Sequence, residues 1–391
     1  MKQGKLLYVS RLNVNNNNHI GVLKKVRGMC RAFSDYFDEV FVEYEKGQKF
    51  IVESVNTGIP VFTNHYDGLL GRRSFYSDIL KWADENDITV FYIRFDHLDT
   101  VMVSTFKKLK KMGIKVILEL PTYPYAAERD SRHRQLLSKK NYFEFALKRA
   151  AAWMEEKHIK QAHRYIDKIV TFTYDGTIWG TPTVCIENGV DCDSIKVRNH
   201  INTSNKIIIG CVANLAVWHA VDRVIEGLNA YYSANPAPEY IVEFWIVGAG
   251  QESEHMQKLV NAYGLGDYVL FKGAKRGAEL EAIMDEFDIG VGTLGLHRIG
   301  LEWGSTLKAK EYCASGLPFI YASREKGLKG DEAFALKFPD DESVIDIDAV
   351  TAFALKVRND VSIREQMRRK AENEYSWTAL TKCILRDVVH E

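Results

Sequence analysis

The sequence predicts an α/β protein made of two parallel-sheet halves, and three observations predict it. Short β-branched or aromatic runs alternate with amphipathic stretches from one end to the other. The alternation stops at a polar stretch, residues 197–206, which contains Asn199, Asn202, Thr203, Ser204 and Asn205, and then begins again. The length, 391 residues with 46% hydrophobic and 27% charged side chains, suits two domains that each bury a core. Repeated strand–helix order calls for parallel sheets covered on both faces, and so for two Rossmann-like domains facing across a cleft.

In the first half the strand candidates are 6–10, 40–44, 60–62, 90–94, 115–120, 169–172 and 183–186. Helical periodicity fills 22–34, 75–86 and 100–112, with Gly113 placed as a C-cap. The second cycle has strands at 206–213, 241–247, 268–272, 288–292 and 318–322. Its helices are expected at 220–232, 252–263, 278–286, 349–359 and from 363 onward. The expected division is 1–195 and 196–375, with residues 376–391 as a closing helix.

Formal net charge is +0, yet the first half is basic and the second acidic. Residues 101–164 alone hold 15 Lys/Arg against 6 Asp/Glu. Such a patch attracts phosphate, as a lipid headgroup or a phospholipid-linked acceptor, or it is a set of solvated helix faces. No nucleic-acid-binding motif accompanies it. The six cysteines form no CxxC pair and several sit in apolar runs, as expected of reduced thiols in a cytoplasmic protein. The N-terminus enters a strand too soon for a signal peptide, and no apolar run reaches the roughly 20 residues of a membrane span. Membrane contact is therefore expected to be peripheral.

Five segments carry the chemistry. Glu187-Asn188-Gly189-Val190-Asp191 is a turn directly after a strand. Asn214, in the loop after the strand ending near 213, leads through Trp218-His219 to a helix that carries Arg223, and such a helix start offers N–H groups to a diphosphate. Val247-Gly248-Ala249-Gly250 lacks the third glycine of a dinucleotide fingerprint, since Ser253 stands there. A strand then ends at Lys272-Gly273, near Lys275 and Arg276. Last comes a Gly-rich loop with Arg298, Glu302 and Gly304, meeting a helix that starts near Ser305 or Thr306 and runs through Leu307, Lys308 and Glu311 to Gly316-Leu317-Pro318. Its exposed N–H groups favour an anion. Lys308 and Glu311, three apart, share a face, where a lysine offsets phosphate charge and a carboxylate accepts from ribose hydroxyls.

These segments together resemble the group 1, retaining family of GT-B glycosyltransferases, bacterial polysaccharide-assembly type. The resemblance is strong over 187–320 and loose before. It implies a nucleotide-sugar donor, UDP by family frequency, bound by the second domain. The implied donor contacts are Asn188, Gly189, Asn214, His219, Gly248, Gly250, Lys272, Gly273, Lys275, Gly304, Ser305, Thr306, Leu307 and Glu311. Glu311 matches the ribose-binding glutamate, and Glu302, one register off the family's first glutamate, would orient the sugar. Asn214 and His219 stand where the family has an Arg and a Lys, so the leaving-group charge falls to Lys308 with Arg298 or Arg223.

The first domain would hold a saccharide or lipid-linked acceptor, through Gly21, Val22, Arg94, His97, Glu119, Thr122 and Tyr123. Tyr123 and Tyr125 fit packing under a loop equally well. The resemblance further implies retention of configuration, no metal and no cofactor, and a place in capsule, exopolysaccharide or other surface-glycan assembly. Two D-x-D triplets, at 191–193 and 346–348, are read as a turn and as surface residues. The rivals are a non-catalytic GT-B-like subunit that binds sugar nucleotide or a partner, and a nicotinamide-dependent oxidoreductase, which the missing glycine disfavours.

Overall fold

The computed structural model describes residues 2, 4–16, 19–65, 71–121, 123, 142–172, 174–199 and 201–386. Two compact units divide the chain. The first comprises Met1–Glu187 and Trp377–Glu391, and the second Asn188–Ser376.

Unit 1 contains β1 (Lys5–Asn13), α1 (Ile20–Phe33), β2 (Glu39–Lys46), β3 (Lys49–Ser54), β4 (Pro60–His65), α2 (Gly71–Glu85), β5 (Val90–Arg94), α3 (Thr100–Lys111) and β6 (Lys115–Leu120). It continues with α4 (Tyr142–Ala162), β7 (Lys168–Thr171), β8 (Thr177–Ile178) and β9 (Thr181–Cys185). Its sheet runs β4-β3-β2-β1-β5-β6-β7-β9-β8. The strands from β2 to β9 in that order are parallel, while β3, β4 and β8 pair antiparallel.

Alternation along a strand sends successive side chains to opposite faces. Leu7 and Val9 of β1 accordingly enter one core while Leu6 and Tyr8 enter another. Both faces are buried, which is why the strands read as unbroken apolar runs. Periodicity missed β3, the return of a hairpin that turns at Gly47 with φ +65°. The last helix of the chain, which we number α11, Trp377–Leu385, packs on α1, where Gly28 leaves room for the Trp377 indole.

Unit 2 holds β10 (Lys206–Val212), α5 (Asp222–Ala234), β11 (Ile241–Val247), α6 (Ser253–Tyr263), β12 (Val269–Gly273), α7 (Gly277–Asp285), β13 (Ile289–Val291), β14 (Trp303–Gly304) and α8 (Leu307–Ser315). After them come β15 (Phe319–Tyr321), β16 (Arg324–Glu325), β17 (Ala335–Lys337), α9 (Ile347–Val357) and α10 (Val361–Lys370). The six-stranded sheet is all parallel, in the order β12-β11-β10-β13-β15-β17. Ile207, Ile209 and Cys211 fill one core and Ile208 the other.

The division at 187/188 corrects the expected boundary, and the polar stretch at 197–206 is no linker. Asn202 is 8% exposed, and its amide donates to both oxygens of buried Asp288 at 3.1 and 2.9 Å. Asn359 locks it from the other side. A run of asparagines reads as a solvated connector, but here it satisfies a buried carboxylate. The triplet at 346–348 is explained by Asp346, which caps α9 by accepting the Ala349 N–H at 3.0 Å. No described helix is long and apolar enough to cross a membrane.

Candidate active site

In an open parallel sheet, ligands bind beyond the carboxyl ends of the strands where the strand order reverses. In unit 2 that point lies between β10 and β13. The loops leaving those two strands carry Asn214, Trp218 and His219 on one side and Arg298 on the other. They touch directly: Gly295 N–H donates to the Trp218 carbonyl at 3.1 Å, and Gly295 has no Cβ to strike Ala220. Ala220 itself holds φ +47°, a left-handed conformation that turns the chain into α5.

His219, 9% exposed, accepts the Ala216 N–H on Nδ1 at 3.1 Å. Its proton is therefore on Nε2. Burial, and then the nearby Lys308 charge, push the imidazole down to about 3, so His219 is a neutral donor at physiological pH. Lys308, in the first turn of α8, places Nζ 3.9 Å from Sγ of buried Cys211 at the end of β10. Lysine and histidine thus meet at the reversal point. Asn188 ties the turn after β9 to the same loop, its Nδ2 donating to the Ser305 carbonyl at 3.1 Å. Glu311 is half-buried one turn along α8, and Glu302 and Leu307 are exposed.

Thr306 is the N-cap of α8, yet its side chain does not cap the helix. Among the described residues, the N–H groups of Leu307, Lys308 and Ala309 have no hydrogen-bond acceptor. The helix end is open, as an anion site requires.

Two expected cations are spent elsewhere. Arg223 is 1% exposed and donates to the carbonyls of Leu294, Pro339 and Ser343 at 2.5, 3.1 and 2.6 Å. It holds the 339–343 loop and is not available to a leaving group. Arg298 makes a bidentate pair with Asp222 at 2.9 and 2.7 Å and two further bonds to Glu342. Its neighbour His297 is held above its usual pKa: burial opposes this, but carboxylates of Asp340 and Glu342 on both ring nitrogens prevail.

The glycine turn also has a local cause. A Cβ on Gly248 would lie 1.9 Å from the Ala213 carbonyl oxygen, and one on Gly250 would lie 2.1 Å from that of Leu215. These glycines let the loops after β10 and β11 pack backbone to backbone. Gly304 belongs to the short β14–β16 ladder. Lys272 lies over the Trp245 ring at 3.8 Å, Lys275 pairs with Glu279, and Gly273 is exposed beside them. Gly189, in the turn with Asn188, leads to Val190, whose N–H donates to the Tyr375 carbonyl at 2.8 Å. Sequence reasoning missed Lys310 and Glu325, a buried ion pair at 3.1 Å beneath α8.

In unit 1 the reversal lies between β1 and β5, and Arg11 and Asp96 span it at 3.4 Å. Arg11 has φ +51°. Its N–H and that of Ser10 both donate to one oxygen of buried Glu43, at 2.9 and 3.1 Å. His97 is exposed and lies 3.3 Å from Asp99. Gly21 and Val22 open α1, with Gly21 exposed.

The acceptor assignment of Glu119 is corrected, while Arg94, its ion-pair partner, stays partly exposed. Glu119 is fully buried, bonded to Arg94 and to the hydroxyls of Tyr8 and Tyr92, so it has no face for a sugar. Tyr123 packs edge-on against Tyr174. Thr122 and Tyr125 lie outside the described residues, as do Arg129, Arg132, Arg134, Lys139 and Lys140 of the basic stretch.

Glu43 gives a stability prediction. Burial raises its pKa from 4.5 to about 8, against the backbone N–H bonds. Between those values the folded state keeps a proton that the unfolded state has lost, so stability falls as pH rises through the window, by up to about 1.4 kcal/mol per unit. Glu43→Gln removes that slope. The stability of E43Q relative to wild type, from urea midpoints, should rise by about 3 kcal/mol between pH 5 and pH 7.5.

No protein-family model matches the chain, and no curated protein sequence does. Solved structures do. A glycosyltransferase from Rickettsia africae is 11% identical with a TM-score of 0.61, covering 99% of this chain and 98% of that one. Anabaena HepE, solved with UDP-glucose, is 14% identical with a TM-score of 0.56 over 99% of both chains. The pneumococcal O-GlcNAc transferase GtfA, solved with UDP and GlcNAc, is 12% identical with a TM-score of 0.53 over the full length of both. At such identities the likeness is one of architecture, and the two Rossmann-like units place this chain in the GT-B fold.

Proposed function

We propose that the chain is a retaining, metal-independent glycosyltransferase that moves a sugar from a UDP-sugar to a surface-glycan or lipid-linked acceptor. One observation carries the reading: an uncapped helix end, the Lys308 ammonium and the neutral His219 N–H converge at the strand-order reversal of unit 2. Expelling a nucleoside diphosphate puts negative charge on its oxygens while the sugar carbon becomes cationic. Donors fixed beforehand lower that barrier because they need no reorganisation. Lys308 and the N–H groups at 307–309 take the phosphate charge, and His219 Nε2 adds a neutral donor. Glu311 holds the ribose and Glu302 the sugar. The UDP complexes of HepE and GtfA support UDP as the nucleotide. A capsule or exopolysaccharide pathway, with the basic 101–164 region against a membrane, agrees with the same reading.

A thermal-shift screen of UDP, GDP and dTDP tests it. At a hundredfold excess over Kd, binding adds about 2.7 kcal/mol, so the favoured nucleotide should raise Tm by about 5 °C or more. No shift with any of the three sinks the reading. The occupied Arg223 and Arg298 favour a second reading, a subunit that binds sugar nucleotide without turnover. Release of UDP from UDP-sugar by the purified chain excludes it.

A further inference from the structure

Three α-helices are capped by the side chain of an aspartate, while those that begin after His19, Val221, Glu252 and Arg276 have no side-chain cap. Asp99 accepts from Met102 N–H at 2.8 Å, Asp346 from Ala349 at 3.0 Å, and Asp360 from Ser362 at 2.8 Å. Thr306 carries a hydroxyl able to do the same for α8. It does not, because the side chain is engaged elsewhere. Its Oγ1 donates to Glu325 Oε2 at 3.1 Å, and its N–H donates to Oε1 of the same carboxylate at 2.5 Å. Both polar groups of the cap residue are thus turned away from the helix they precede.

Glu325 is itself fixed. Its side chain is 3% exposed and that of Lys310 is 0% exposed, with Lys310 Nζ 3.1 Å from Oε1. Lys310 also donates to the Lys326 carbonyl at 3.0 Å and lies 4.8 Å from the centre of the Tyr375 ring. Backbone pairing of Trp303–Gly304 with Arg324–Glu325 holds the two segments in register, and Lys326 N–H donates to the Gly304 carbonyl at 2.9 Å. A buried ion pair is seldom a net source of stability, since desolvation offsets its attraction. It does fix geometry, and what this one fixes is the cap residue.

We propose that Glu325, held by Lys310, is a positioning residue of the donor site: it captures the Thr306 hydroxyl and so keeps the first N–H groups of α8 open to a diphosphate. The inference rests on the reading of α8 as the diphosphate site. With the carboxylate gone, the threonine hydroxyl becomes free to rotate onto the N–H of Ala309, and the ligand must then displace a bond of ordinary N-cap strength.

The test replaces the whole ion pair, K310M/E325L, so that no buried charge is stranded. Calorimetric titration with UDP should show binding about three- to tenfold weaker than wild type, the equivalent of one N-cap bond. Adding Thr306→Ala to that variant should bring the affinity back to within about twofold of wild type. A purely structural role predicts no such rescue. Unchanged affinity in K310M/E325L, or no recovery in the triple variant, overturns the inference. Amide exchange on wild-type protein gives an independent readout: the 307–309 amides should be unprotected in the free chain and protected by UDP. Protection already present in the free chain overturns the inference even if the variants do not fold. Wild-type chain that binds no UDP, GDP or dTDP sinks the donor-site reading and this one with it, whereas wild-type binding with unaltered variants sinks only this one.

Discussion

Lys308→Ala should weaken UDP binding about ten- to hundredfold and lower transfer from UDP-sugar by at least as much. The argument is one of counting charges. A diphosphate arriving at the β10–β13 reversal meets backbone dipoles, a neutral histidine and one lysine. Arg223 and Arg298 are held by carbonyls and carboxylates, so neither relieves Lys308 of its share. Hydrogen bonds to a charged group contribute roughly 1.5–3 kcal/mol each, which gives the expected range in affinity. Charge grows on the leaving oxygens as the glycosidic bond breaks, so the loss in turnover should equal or exceed the loss in binding. Titration with UDP and an initial-rate assay check both halves. Lys308→Arg should recover part of the affinity, because a cation remains. Loss of less than threefold in K308A, with the fold intact, would move the diphosphate away from α8.

His219→Ala separates the two donors. The imidazole is neutral down to about pH 3, so its removal should cost a few-fold and leave the pH dependence of UDP binding between 5 and 8 unaltered. A histidine that carried charge would instead impose a slope in that range.

What could be read from the sequence followed from period and order. Residues 206–212, 241–247 and 90–94 are strands within a residue of expectation because both sheet faces are buried, which leaves each strand as an apolar run. Strand order was not readable, since hydrogen-bonded neighbours such as β10 and β13 lie some eighty residues apart. Partners of charged side chains were equally hidden. Arg223 sits one turn into a helix, where sequence suggests a surface cation, but the carbonyls that consume it come from 294 and 339–343. Lys310 is charged in a helix whose Lys308 and Glu311 already had roles, and nothing local shows that Glu325 returns beneath it. Asn202 looked like linker because its reason, Asp288, lies 86 residues on. The glycines at 248 and 250 were read as a glycine turn at the donor site, and what lies against each is the neighbouring loop.

Glu119→Ala should be the most destabilising single substitution in unit 1, by about 3–5 kcal/mol, with a fall in Tm of about 10 °C. Four groups converge on that carboxylate. Tyr8 and Tyr92 hydroxyls donate to Oε2 at 2.8 and 3.0 Å, Arg94 donates to Oε1, and Lys25 stands 3.7 Å from it. Burial would raise the carboxyl pKa, but Lys25, Arg94 and the two phenols outweigh it and hold the group below its usual value. Removing the carboxylate leaves a guanidinium and an ammonium in the interior without their counter-charge, and two phenols without an acceptor. Lys25 has little else, lying 3.2 Å from the centre of the Phe172 ring, and burial already lowers it from 10.5 to about 8.

That depression has a signed consequence. Between pH 8 and 10.5 the unfolded chain keeps a proton that folded Lys25 has given up, so Lys25 makes stability rise with pH across that window. In E119A the ammonium loses its partner, its pKa falls further, and the same rise should begin below pH 8. Thermal melts of wild type and E119A from pH 6 to 10 therefore read both effects at once: a lower Tm throughout, and a gap that narrows as pH increases. Glu302→Ala, at an exposed carboxylate, is the control and should shift Tm by no more than about 1 °C. An E119A protein that melts within about 2 °C of wild type at pH 7 would show that the four groups find other partners.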